Sequence, residues 1–346
     1  MIQIETLMAV AGALLLVSVF ANRISVFLGI PGLLIFIGIG MLDGIVRIQF
    51  YDARMTNYIG TVALAFILFA GGLDTRWRDV RPVLAGGSLL ATLGVVLTAL
   101  FLFLPAYYVL RLELPVALLL GVIVSSTDAP AVFMIMRTQK AELRDNLRPL
   151  LEFESAGNDP MAVLLSLGAL AWLQNSDFAA AGLAKMFVLQ LVVGFAAGCG
   201  LGWLAGVLLK KICICYFGLY TVFGVGFVLL TFGVAQLLGG SGFLAVYVAG
   251  IIIGNRPFTY RRNLIRFHDS LAWIAQVGMF LLLGLLVNPR ELPSVMPMGL
   301  LAAFFLIFFS RPAAVFICLW RSRFGWKEKL FVGWKGRCRS FLPPIR

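Results

Sequence analysis

Apolar runs of about twenty residues follow one another along this sequence, and runs of that length match the hydrocarbon thickness of a bilayer. Only a membrane fold absorbs so many of them. Hydrophobic residues make up 61% of the 346 and charged residues 13%, with a mean hydropathy of +0.98, which leaves no stretch polar enough for a separate soluble domain. The first run, "LMAVAGALLLVSVFAN", has no basic stretch before it and no clear small-residue cleavage site. It reads as a retained helix, with a signal anchor as the alternative.

Charge and cysteine then exclude other classes. The five cysteines, at 199, 213, 215, 318 and 338, form a C-x-C but no C-x-x-C, so neither a zinc site nor a disulfide framework is indicated. A net charge of +12 could suit nucleic acid. In a chain this apolar it is better read as loops facing anionic membrane lipid.

Splitting the apolar runs at charges, glycines and prolines gives eleven expected spans: 4–22, 25–45, 58–74, 82–110, 113–136, 149–173, 178–209, 216–238, 242–255, 270–288 and 296–320. The odd-numbered connections and residues 321–334 after the last span hold 18 basic residues, not counting Lys335; the even-numbered connections hold five. This bias orients the odd connections and the C-terminal tail toward the cytoplasm and the N-terminus outside.

Charges inside spans point to function. An ionisable residue at a helix centre costs roughly 2.5–3.5 kcal/mol on insertion scales, so each needs a partner, water or a task. "VSSTDAPAVF" carries Asp128, "EFESAGNDPMAV" carries Glu152, Glu154 and Asp159, and "FFSRPAAVF" carries Arg311. On a helix, Ser155 and Asp159 share one face and Glu154 and Asn158 the next. Glu154 can therefore meet Arg311 as a structural ion pair while Asp159 remains able to titrate. Thr127, Asp128, Ser155, Asn158 and Asp159 supply hard oxygen ligands suited to an alkali cation. Pro130 and Pro160 beside the acids are expected helix-break positions, where freed backbone carbonyls coordinate ions in transporters.

These stretches, "SSTDAPAVF" and "EFESAGNDPMAV", strongly resemble the signatures of monovalent cation/proton antiporters of the NhaP type. "GSGFLAVYVAGIIIGNRP" and "LAWIAQVGMFLLLGLLVNP" are similar to the cell-volume-regulation branch, described as potassium/proton antiporters. The likeness runs from about residue 10 to about 334. It implies an all-α polytopic fold of thirteen helices in two inverted repeats, of which this chain holds about eleven. It implies a core domain moving against a dimerisation domain, hence a homodimer in a bacterial inner membrane. Asp159 becomes the shared proton and cation carboxylate, with Asn158, Thr127 and Ser155 around the ion, Asp128 as the acid of the broken fifth helix, and Glu154–Arg311 as the brace. The resemblance implies no cofactor beyond the transported K+ or Na+ and H+, and no organic substrate. An Asn-Asp pair, where electrogenic relatives have Asp-Asp, implies one titrating carboxylate and electroneutral exchange.

The likeness fails after "EKLFVGW", where a twelfth helix is expected and "KGRCRSFLPPIR" stands instead. Residues 337–346 admit codons that, read one base earlier, spell Ala-Leu-Pro-Ile-Val-Phe-Ala-Thr-Tyr-Pro, the pattern such a helix begins with. The expected organisation is an incomplete exchanger domain over 1–334 and an aberrant tail over 335–346 from a frameshift. A polypeptide ending this way is expected to be poorly stable or inactive. The gene sequence across residues 334–336 decides this.

Three other functions fit the sequence less well. A sodium-coupled organic-solute symporter of similar fold would need a roomier polar cavity, for which no motif stands out. An intramembrane aspartyl protease lacks its Gly-x-Gly-Asp context. A rhomboid-like protease is suggested only by "GGSG" at 239–242 and the sole histidine, His268. The span order sets Ser241 in an outer turn and His268 in a cytoplasmic loop, too far apart to pair.

Overall fold

A computed structural model describes residues 32–46, 53–127, 147–174, 180–211 and 216–334, with scattered positions before residue 21. Among these residues the secondary structure is helical throughout, with no strand. We number the helices α1 (Gly32–Val46), α2 (Ala53–Asp74), α3 (Trp77–Tyr108), α4 (Leu114–Ile123), α5 (Leu147–Gln174), α6 (Ala180–Lys211), α7 (Phe217–Leu237), α8 (Gly242–Gly254), α9 (Arg261–Leu286), α10 (Leu292–Cys318) and α11 (Trp326–Trp334). Six of them, α2, α3, α6, α7, α9 and α10, are long and apolar enough to cross a bilayer. The 28 residues of α5 reach about 42 Å at the usual helical rise, but Arg148, Glu152, Glu154 and Asp159 crowd its first half. Large apolar side chains face outward together, as Leu219, Val222, Leu229, Leu230 and Leu237 do on α7.

Three expectations change. Span ten begins nine residues sooner than expected, at Arg261, because Leu264, His268 and Leu271 continue the apolar face beneath the charges. His268 is accordingly a helical residue and not a loop residue. It is fully buried, its Nδ1 bonded to the Leu264 carbonyl at 2.9 Å and its ring edge-on to Phe69. The helix-break expected at Pro160 does not occur: α5 runs through it as regular α-helix. One missing N–H removes a single rung, and the turns on either side keep theirs. Pro130 and Asp128 lie outside the described residues.

The helices pack as two groups. In one, α8 lies between α2 and α6, with α7 beside it and α9 against α1 and α2; Leu68, Phe69, Tyr220, Val228 and Tyr247 fill its centre. In the other, α3, α5, α10 and α11 close around Leu90, Leu150, Leu151, Val315 and Val332, and α4 lies along α3. Phe153 of α5 meets Tyr247 of α8, ring centres 6.4 Å apart, where the groups touch. Two π turns, Leu90–Gly94 in α3 and Leu306–Ser310 in α10, border the second group's interior.

Backbone proximity holds α8 in place. A Cβ on Gly250 would stand 2.6 Å from the Phe69 carbonyl, and one on Gly198 would stand 2.6 Å from that of Ala245. Membrane helices associate through such small-residue contacts because lipid gives them no hydrophobic drive to pack. Replacing Gly250 with valine is expected to lower stability by about 1–3 kcal/mol, as overpacking does. Thermal unfolding in detergent measures it; an unchanged midpoint would show that the helices can separate at no cost.

Candidate functional site

The site is built on α5. Its leucines at 147, 150 and 151 anchor one face against Val83, Leu90 and Val315. Glu154 and Asn158 continue that face one and two turns after Leu151, with Ser155 and Asp159 beside them. Glu154, Ser155 and Asn158 are fully buried, while Asp159 retains partial exposure.

Glu154 is held by Arg311 of α10, the one basic residue set deep in that helix. The guanidinium Nη2 donates to Glu154 Oε1, and both side chains are buried. Arg311 Nε and Nη1 are buried without a hydrogen-bond partner. Its partner carboxylate therefore carries most of the task of keeping this charge in the interior.

The pair also orients Asn158. One turn along α5, Asn158 Nδ2 donates to the same Glu154 Oε1 at 3.0 Å and to Thr127 Oγ1 at 2.6 Å. An ionised carboxylate only accepts, so the amide must present its NH2 group to Glu154 and its carbonyl to the opposite side. There Ser126 Oγ lies 3.0 Å from Asn158 Oδ1 and 2.7 Å from Asp159 Oδ1. Ser126 and Thr127 belong to the turn that follows α4, which ends at Ile123 because Val124–Ser126 fold back. Ser125 caps its own helix, donating to the Val122 carbonyl at 2.6 Å, and takes no part.

The structure thus joins Thr127, Asn158 and Asp159 of the expected site and pairs Glu154 with Arg311. Ser155 is buried on the Asp159 face of α5. Ser126 was missed by sequence reasoning. The available signal was the unbroken hydroxyl run Ser125-Ser126-Thr127, which local pattern cannot assign to caps or to ligands. Ser241 and His268 do not form a catalytic pair: Ser241 Oγ accepts from Leu244 N as the cap of α8, and His268 Nδ1 is engaged by Leu264. Among the described residues no three of His, Cys, Asp and Glu converge as a metal would require. What converges is a carboxylate, an amide carbonyl and hydroxyls, hard oxygen donors that suit an alkali cation.

The chain has relatives among known proteins. Residues 11–343 match the family described as sodium/hydrogen exchanger, transmembrane. The chain is 40% identical over 342 residues to a K(+)/H(+) antiporter NhaP of Alkalimonas amylolytica, covering 97% of this chain and 59% of that protein. It is 37% identical over 341 residues to the K(+)/H(+) antiporter NhaP2 of Shewanella sp. (strain MR-4), covering 96% and 59%. It therefore spans about three fifths of the length of these curated relatives. Its fold is similar to that of the sodium proton antiporter MjNhaP1 from Methanocaldococcus jannaschii at pH 8, with a TM-score of 0.83 and 23% identity over 96% of this chain and 82% of that one.

Proposed function

Since the chain belongs to the sodium/hydrogen exchanger family, we propose that it exchanges a monovalent cation for protons across a membrane, with K+ the first candidate and Na+ the second. The family is one of membrane transporters, so the protease readings are set aside, and the chain is a multi-pass membrane protein. The symporter alternative gains no support from the site.

One observation carries the proposal. Asp159 keeps partial exposure while its neighbouring acid, Glu154, is neutralised by Arg311. A single carboxylate in that position holds a proton or a metal cation but not both, so competition links the two flows. Asn158 beside it adds a ligand without a second titrating charge, which supports electroneutral exchange. Alternating access then moves the loaded site between the two faces of the membrane. Asp128 belongs to the same proposal as a further acid of the site. The proposal includes a bacterial inner-membrane location, the N-terminus outside, the C-terminal tail cytoplasmic, and a homodimer. The excess of basic residues in alternate connections supports the orientation.

Proton release from the purified chain tests this. In weakly buffered detergent solution, over a series of pH values, adding K+ or Na+ is expected to displace up to about one proton per chain, saturably. Li+, Rb+ and choline serve as comparisons. Release that is equal with choline, or absent with every alkali cation across the pH range, would end the exchanger reading.

A further inference from the structure

We propose that Arg256 and Lys210 bind the phosphate of an anionic phospholipid, with the lipid's chains lying along the outer side of α6. The inference is independent of the exchange proposed for Asp159 and needs only a chain that spans a membrane.

Charge along the sequence points to an outside partner. Residues 178–268 hold seven basic residues and no acidic one. All but Lys185 gather where α6 and α8 end and α9 begins. Arg261 is spent on the end of α8, where its Nε donates to the Gly254 carbonyl at 2.7 Å. Arg256 and Lys210 make no ion pair among the described residues. Asp74, at the end of α2, is on the far side of α8, which stands between α2 and α6.

Arg256 is set in place before any ligand arrives. Its side chain crosses from the end of α8 to α6 and lies on the backbone at Gly206, where a Cβ would stand 2.5 Å from Arg256 Cδ and 3.1 Å from Nη1. Nη1 donates to the Trp203 carbonyl at 3.4 Å, a long contact. A guanidinium has five N–H donors, so most remain for an anion, and its planar fork matches two phosphate oxygens. Lys210 follows Gly206 by one turn on the same side of α6 and is exposed, about 6 Å further along the axis. The C-terminal end of a helix itself favours cations, which accounts for the lysines at 210 and 211. It does not account for an arginine brought from another helix and laid over a glycine.

What lies beside the two charges selects a lipid over a free anion. Trp203, one turn before Gly206, is exposed. Phe195 and Val192, eleven and fourteen residues before Gly206, are exposed on the same side of α6. Tryptophan favours the level where headgroups meet acyl chains. Going outward along α6, the order is apolar track, tryptophan, arginine, lysine, which follows a phospholipid from its chains to its phosphate. Basic clefts between membrane helices hold anionic headgroups in this way. A phosphate seated there ties the end of α8 to α6 through Arg256.

Native mass spectrometry of the detergent-purified chain, titrated with phosphatidylglycerol or phosphatidylcholine, tests this. One phosphatidylglycerol per chain is expected to bind at least about tenfold more tightly than phosphatidylcholine. Arg256→Gln is expected to weaken phosphatidylglycerol about tenfold, as losing a charge-assisted contact does. Gly206→Ala leaves every charge in place but lifts the guanidinium off α6, and is expected to weaken binding about fivefold. Its thermal midpoint is expected at or above the parent's, since alanine favours a helix. Arg262→Gln removes the same charge from an exposed position on α9 and is expected to stay within about twofold of the parent. The alanine variant carries the test if the Arg256 variant does not fold. Equal binding of the two lipids, a Gly206→Ala variant that binds as the parent does, or an Arg262→Gln variant as impaired as Arg256→Gln would each overturn the site. Displacement of phosphatidylglycerol by an equal concentration of inorganic phosphate would overturn it too, since the ligand would then be a free anion.

Discussion

Asp159→Asn is expected to abolish cation-driven proton release, from about one proton per chain at saturation to none detectable. The amide keeps the shape and the oxygen facing Ser126, so the thermal midpoint is expected to remain near that of the parent chain. Loss of release with retained stability is the signature of a removed exchange group rather than of a damaged fold. The contact from Ser126 Oγ to Asp159 Oδ1, 2.7 Å, is one an amide oxygen can also accept, which is why the substitution is gentle on structure. Release of protons by this variant in amounts near the parent's would mean that another group binds the cation, and the assignment of Asp159 would fall.

Breaking the Glu154–Arg311 pair is expected to have the largest effect on stability. Replacing Arg311 with methionine leaves a carboxylate fully buried, and replacing Glu154 with glutamine leaves a guanidinium whose Nε and Nη1 already lack partners. Severing a buried pair from one side costs about 3–5 kcal/mol. Combining Glu154→Gln with Arg311→Met removes both charges together and is expected to recover most of that loss, since paired removal is often close to neutral. Thermal unfolding of the three variants in detergent measures the cycle. A double variant no more stable than the worse single one would show that the two residues act independently. Glu154→Gln has a functional cost as well. Without an obligate acceptor at Glu154 Oε1, Asn158 can turn its NH2 group toward Asp159, placing a donor where the cation needs an oxygen.

The positions of the helices were largely legible, because bilayer-length apolar runs and alternating basic connections are local features. Their ends were less so. Span ten hid its first turns among Arg261, Arg262 and Arg266: Arg261 reaches back to the Gly254 carbonyl and Arg262 and Arg266 are exposed, while Leu264 and His268 on the other face are buried. In the site, the acids declared themselves by being costly where they stand. Ser126 did not, since hydroxyls are cheap in membrane helices and commonly cap them, as Ser125 does. Its role depends on partners 32 and 33 residues away, and no periodicity reaches across a helix pair. The same applies to the approach of Gly250 to Phe69, which depends on which helices become neighbours. Pro160 misled for the opposite reason: its local meaning was clear, and the helix continued past it.

The π turn at Leu306–Ser310 ends immediately before Arg311. Such a turn fits one extra residue into the helix, which resets the azimuth of everything after it by about 100°. Arg311 therefore aims at α5 by virtue of a single surplus amino acid upstream. Counting residues along α10 on an ideal helical wheel would point the guanidinium at the wrong neighbour, and deleting one residue from 306–310 would swing it off its partner without touching the arginine itself.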